Sequence, residues 1–169
     1  MILESMMDNL KSIAVRTFNQ SKSHAPIYIM NINDNVEIMM CEWTSQKDKD
    51  ETVNMIKTMI KNGNLKEFIF VAESWVLTVD KDKSSPSSMR SYFNNNGSLS
   101  SHPQRTEALF MQYSSPEKEQ TFKADIDRSK DDVTLGEWED MGEERFNKGN
   151  PLSEGRMQNI FAIASADNN

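Results

Sequence analysis

Glu73, His102, Arg105 and Glu107 are the residues whose types could most readily do chemistry together. Two carboxyl groups near an arginine and an imidazole could divide general-acid and general-base roles. The same four could instead form an ion-pair network that satisfies a buried Glu73. No spacing among them specifies a reaction, so the structural network is the preferred reading. A second pairing is His24 with Cys41, which a hairpin would set diagonally on one face, giving a thiol and a base. A one-residue slip in register destroys it, and a lone cysteine in an apolar strand is more often a small buried hydrophobe.

Other chemistries fail on position. Asp125-x-Asp127-x-Ser129 begins like a calcium loop, but Lys130 stands where glycine is needed and Gly136 where a bidentate glutamate is needed. One cysteine and two widely spaced histidines make no zinc pattern. There is no glycine-rich phosphate loop, dinucleotide fingerprint or Gly-x-Ser-x-Gly elbow. No metal and no cofactor is expected. Ser74 adjoins Glu73, but strand neighbours point to opposite faces, so that serine gains no base.

Two features suit partners rather than reactions. Tyr92 and Phe93 sit, with Met89, in the middle of a long polar stretch. Trp138 and Phe146 lie beside Asp131, Asp132, Glu137, Glu139, Asp140, Glu143 and Glu144. An acidic run is usually a solvated face. The sharper alternatives are docking of a basic protein partner and imitation of nucleic-acid phosphates.

The elements that position these residues are readable from periodicity. Leu3, Met6, Met7, Leu10, Ile13, Ala14 and Phe18 form an amphipathic stripe, predicting a helix over residues 2–18. Residues 26–32 and 36–43 read as a hairpin around Asn33-Asp34-Asn35. Ser45 can cap the next helix, with Val53, Ile56, Met59 and Ile60 as its apolar stripe and Gly63 after its end. Residues 67–79 are the densest apolar run and read as the central strand, interrupted by Glu73. Residues 80–104 form a long polar loop. Strands are expected over 105–113 and 120–128, the latter alternating with Phe122, Ala124 and Ile126 inward, followed by a short edge strand at 133–138. Residues 139–153 read as a polar connection, 154–164 as a last helix and 165–169 as a frayed tail.

The expected fold is a single α+β domain over residues 1–169. It has a mainly antiparallel sheet of about six strands, an N-terminal helix, one crossover helix and a C-terminal helix, in the order α-β-β-α-β-β-β-β-α. A meander keeps the apolar 67–79 run central. A profilin-like or roadblock-like strand order would push that run to an edge, so the meander is preferred.

The 169 residues suffice for one core. A formal net charge of -7 argues against a nucleic-acid binder, which needs a basic face. The single cysteine excludes an intrachain disulfide and favours a reducing, cytoplasmic compartment. Glu4 and Asp8 interrupt the N-terminal apolar pattern, which is unlike a signal peptide. No run has the length of a membrane span.

The stretches Ala72-Glu73-Ser74-Trp75, His102-Pro103-Gln104-Arg105-Thr106-Glu107-Ala108-Leu109 and Leu135-Gly136-Glu137-Trp138 resemble a group of short bacterial and phage-associated proteins without an assigned activity. The resemblance covers the central half of the chain. It implies a shared Glu/Trp and Arg/Glu pair and supplies no catalytic residues. The expected function is a non-catalytic binding or protein-interaction module, whose partner is another protein or a second copy. A small acid–base or hydrolase-like enzyme using Glu73, His102, Arg105 and Glu107 is the alternative, and an acidic decoy for a basic or nucleic-acid-binding protein the third.

Overall fold

The computed structural model describes residues 1–76, 105–145 and 160–166. In chain order the elements are α1 (Ile2–Ser21), β1 (Ile27–Ile32), β2 (Asn35–Met40), α2 (Gln46–Lys61), β3 (Leu65–Val76), β4 (Thr106–Ser114), β5 (Lys118–Asp127), β6 (Thr134–Leu135), β7 (Glu139–Arg145) and α3 (Ile160–Ala166). The strands form one antiparallel sheet in the order β2-β1-β3-β4-β5-β6, with β7 also on β5. The fold is thus α+β, and β3 lies inside the sheet between β1 and β4.

Each turn has a local cause. Asn33 and Asp34 both take positive φ, 50° and 67°. That is the two-residue turn whose twist matches a hairpin, and Asn and Asp tolerate it. Lys66 then pairs with Asp34 at 2.7 Å. Ser45 caps α2 by accepting from Asp48 N, while Asp48 accepts from Thr44 N and Ser45 N. The Thr44 backbone and hydroxyl hold the Asp48 carboxyl below its ordinary range. Beyond Asn62, Gly63 turns the chain at φ +72° into β3.

Two cores flank the sheet. On one face α1 lays Leu3, Met7, Leu10, Ala14 and Phe18 against Ile69, Val71, Leu109, Met111, Phe122 and Ile126. On the other, Val53 and Ile56 of α2 and Ile160 and Phe161 of α3 cover Tyr28, Met30, Leu65 and Phe68. Each large side chain so buried contributes roughly 1.5–3 kcal/mol relative to exposure. The helical layers differ in reach: α1 extends from β1 across β3, β4 and β5 to β6, whereas α2 and α3 lie over β1 and β3.

Among the described residues the sheet has seven strands, close to the expected number of about six. The segment expected as a polar connection contains β7, whose Glu139, Asp140, Gly142, Glu143 and Glu144 have poor strand propensity. It is held by its ladder with β5 and by the ion pairs Lys123–Glu139 and Lys118–Glu143. β6 shrinks to two residues. β6 and β7 run in the same direction along one edge of β5, as two halves of an interrupted edge strand. β2 stops at Met40, short of Trp43, and α3 continues through Ala166, two residues into the expected tail. The polar loop 80–104 lies outside the described residues, with Tyr92, Phe93 and His102, and so does Phe146.

Candidate functional site

The deepest polar cluster centres on Glu67, at 0% exposure. It lies in phase with Ile69 and Val71, so its side chain turns towards α1. Oε1 accepts from Leu3 N at 3.1 Å and from Asn31 Nδ2 at 3.0 Å, and Oε2 accepts from Tyr113 Oη at 3.0 Å. Met1, at the N-cap position of α1, makes no side-chain cap. Glu67 does that work from the sheet, bringing an acidic group to the positive end of the helix dipole. Burial pushes the Tyr113 phenol well above its usual value. Every oxygen of Glu67 is engaged, and what the cluster does is fix α1 to the sheet.

Glu73 and Glu107 do converge, though the arginine between them is Arg128. In the β3–β4 ladder Glu73 faces Leu109 and Trp75 faces Glu107, which puts both acids on the α1 face. Arg128 follows β5 two residues beyond Ile126, the partner of Glu107. It forks onto Glu107 through Nε at 2.8 Å and Nη2 at 3.0 Å, and Nη2 reaches Glu73 Oε2 at 3.5 Å. Its Nη1 donates to Lys22 O at the C-cap of α1. His24 N donates to Glu73 Oε1 at 2.8 Å. Arg105 instead stacks its guanidinium 4.7 Å from the Trp75 ring centroid. The correction has a geometric reason: Arg105 precedes the first β4 ladder pair, whereas Arg128 projects over the acids from the next strand. His102 lies outside the described residues. Both acids engage Arg128, and Glu73 also accepts from a backbone amide, an arrangement that fastens the C-terminal end of α1.

Cys41 and His24 do not form a reactive pair. Cys41 packs with Tyr28, Val53 and Ile56, and burial raises its thiol from 9.0 to about 11. It is therefore protonated at neutral pH and a poor nucleophile. His24 is buried with Nδ1 2.7 Å from Ala25 O.

No family model, curated protein or solved structure matches this chain.

The acidic run is partly neutralised at home. Glu139 pairs with Lys123, Glu143 with Lys118 and Asp132 with Lys22, and Asp140 accepts from Gln120. Asp125 pairs with Lys123, and Asp127 accepts from Ser129 N and Oγ, which hold its carboxyl low. Among the described residues no group of three or more His, Cys, Asp and Glu is placed to hold a metal. Trp138 is half-buried against the α1 core, its indole donating to Lys11 O at 3.4 Å.

Two parts of the sheet have no helix packed on them among the described residues. Over β5, on the α2 side, the surface carries Lys123, Asp125 and Asp127. Over β2, on the α1 side, it is apolar. Val36, Ile38 and Met40 pair with Asn31, Ile29 and Ile27 and so share their face. They are 42%, 68% and 68% exposed. Ile2, Met6 and Ile13 form the flank of α1 opposite Glu4 and Lys11. Glu4 and Lys11 engage Lys118 and Phe122 of β5, so the Ile2–Ile13 flank turns towards β2. Ile2 and Ile13 are exposed too. Exposed apolar side chains of β2 and of the α1 flank thus lie on the same side of the sheet, beside an outer strand. Met6 packs against the α1 core as expected, whereas Ile13, expected in the same stripe, is exposed, and the β2 residues were expected only as part of a hairpin. The available signal was the unbroken apolar phase Val36, Ile38, Met40 in the hairpin's second strand, which needs a cover that the chain order did not supply.

Proposed function

We propose that the chain is a protein-interaction module that accepts an extended apolar segment along the outer edge of β2. The observation that carries this reading is the exposed ladder of Val36, Ile38 and Met40 on an outer strand. Outer strands are ordinarily protected by lysine, proline, a bulge or a covering loop. The sequence Asn35-Val36-Glu37-Ile38-Met39-Met40 has no lysine, no proline and one charge. Contiguous exposed apolar surface marks interaction sites, and strand addition is the recognition mode an open edge favours. The commitment of Glu73 and Glu107 to Arg128 supports binding over acid–base chemistry. A reducing, cytoplasmic setting accords with the single buried thiol, and kinship with short bacterial or phage-associated proteins is part of the same proposal.

A photo-crosslinking residue at position 38, compared with one at Asp125 in the charged part of the sheet, tests this in cells producing the full chain. Protein adducts are expected at position 38 and not at position 125. Absence of protein adducts at position 38, or equal yields at both sites, overturns the reading.

A further inference from the structure

We infer that the segment added to β2 is β2 of a second copy, running antiparallel across a two-fold axis at Ile38. This rests on the strand-addition reading above and names its occupant.

The first support is the phase of the backbone. Cys41 N donates to Pro26 O at 2.9 Å, and Cys41 lies opposite Pro26 in the β1–β2 register. In an antiparallel ladder, residues alternate between those bonded to the neighbour and those turned away. Cys41, Met39, Glu37 and Asn35 therefore bond to β1. The amides and carbonyls of Val36, Ile38 and Met40 point out of the sheet edge. The three residues with exposed apolar side chains are the same three with outward backbone groups.

The second support is self-complementarity. With the axis at Ile38, Ile38 meets Ile38 of the partner subunit and Val36 meets Met40 of the partner subunit. All outward amides and carbonyls then find partners, and the cross-strand neighbours on the α1 face are apolar throughout. Glu37 falls opposite Met39 of the partner subunit. Moving the axis to Glu37 sets that glutamate against its own copy. Moving it to Met39 sets Val36 against Glu42 of the partner subunit. A half-residue shift would place inward-bonded residues opposite outward ones. The Ile38 axis is the one that satisfies backbone and apolar side chains together, with Glu42 level with Asp34 of the partner subunit just beyond each end of the strand.

The six-residue strand is roughly 20 Å long. A strand pair of that length buries less than the about 800 Å² per partner of a stable complex, so the dimer is reversible. Each copy carries a net charge of -7, so added salt strengthens the association by screening.

Sedimentation velocity of the full chain over a concentration series should show mass rising from 19.4 kDa towards twice that value, more readily at higher salt. Ile38→Pro removes an amide that β1 does not use, so the hairpin keeps its ladder. It should weaken association at least about tenfold with an unchanged far-UV spectrum. Met40→Lys is the second variant if proline disturbs folding. Oxidation of Ile38→Cys should give a covalent dimer, because paired positions of this type lie about 5.5 Å apart between Cα atoms. Val36→Cys alone should not, whereas Val36→Cys mixed with Met40→Cys should. A chain that stays at 19.4 kDa at every concentration and salt, or self-crosslinking by Val36→Cys equal to Ile38→Cys, overturns the inference. If the chain stays monomeric while position 38 still yields adducts with another protein, the second copy falls and strand addition stands. Without adducts to any protein, both fall.

Discussion

Glu67 accepts hydrogen bonds from groups 64, 36 and 46 residues away, so one side chain joins α1, β1 and β4 to the central strand. Glu67→Ala would strand three buried donors. The expected loss is roughly 3 kcal/mol of unfolding free energy in urea titration. Glu67→Gln keeps an acceptor for Leu3 N and should lose less; a loss under about 1 kcal/mol for the alanine variant would show that α1 does not depend on this cap. Cys41 gives a test in pH. Its thiol holds its proton more tightly in the folded chain, with 9.0 moved to about 11. Its contribution to stability is therefore complete below about pH 9 and lost as pH rises through about 11. Cys41→Ala should flatten the alkaline fall in stability across that window. An unchanged slope would show that the thiol titrates normally.

α2 is held at its start by local residues and at its face by distant ones. Ser45→Ala removes the acceptor for Asp48 N and should lower stability by about 1 kcal/mol, read as a fall in Tm. An unchanged Tm would mean that packing of Val53 and Ile56 fixes the helix start without the cap. β7 is the opposite case, since its acidic residues form a strand only because β5 offers a ladder and two lysines. Glu73 and Glu107 were legible as partners of an arginine because both lie on the inward phase of apolar strands. Arg128 was not, because its approach depends on β5 lying beside β4.

The molecule as a whole is a sheet with helices on both faces, and Val36, Ile38 and Met40 of its outer strand stay exposed on the α1 side. Amide exchange should reflect it. Glu37, Met39 and Cys41, bonded to β1, should exchange more slowly than Val36, Ile38 and Met40 in dilute chain. Ile69, Val71, Leu109 and Met111 in the doubly flanked strands should be slowest. Raising the concentration should selectively slow Val36, Ile38 and Met40. Equal protection along β2 at low concentration would contradict the assigned hydrogen-bond phase.

By itself the sequence determined the α+β class, the amphipathic α1, the Asn33-Asp34 hairpin, the capped α2 and the central place of β3. These follow from periodicity, turn chemistry and capping, which act over a few residues. The tertiary structure decided that Glu67, rather than Glu73, is the fully buried acid. It also decided that Arg128 joins Glu73 to Glu107, that an acidic segment is β7, and that Val36, Ile38 and Met40 have no helix above them among the described residues. Each of those depends on which strands lie side by side and where a helix comes to rest, and contacts across dozens of residues leave no local pattern.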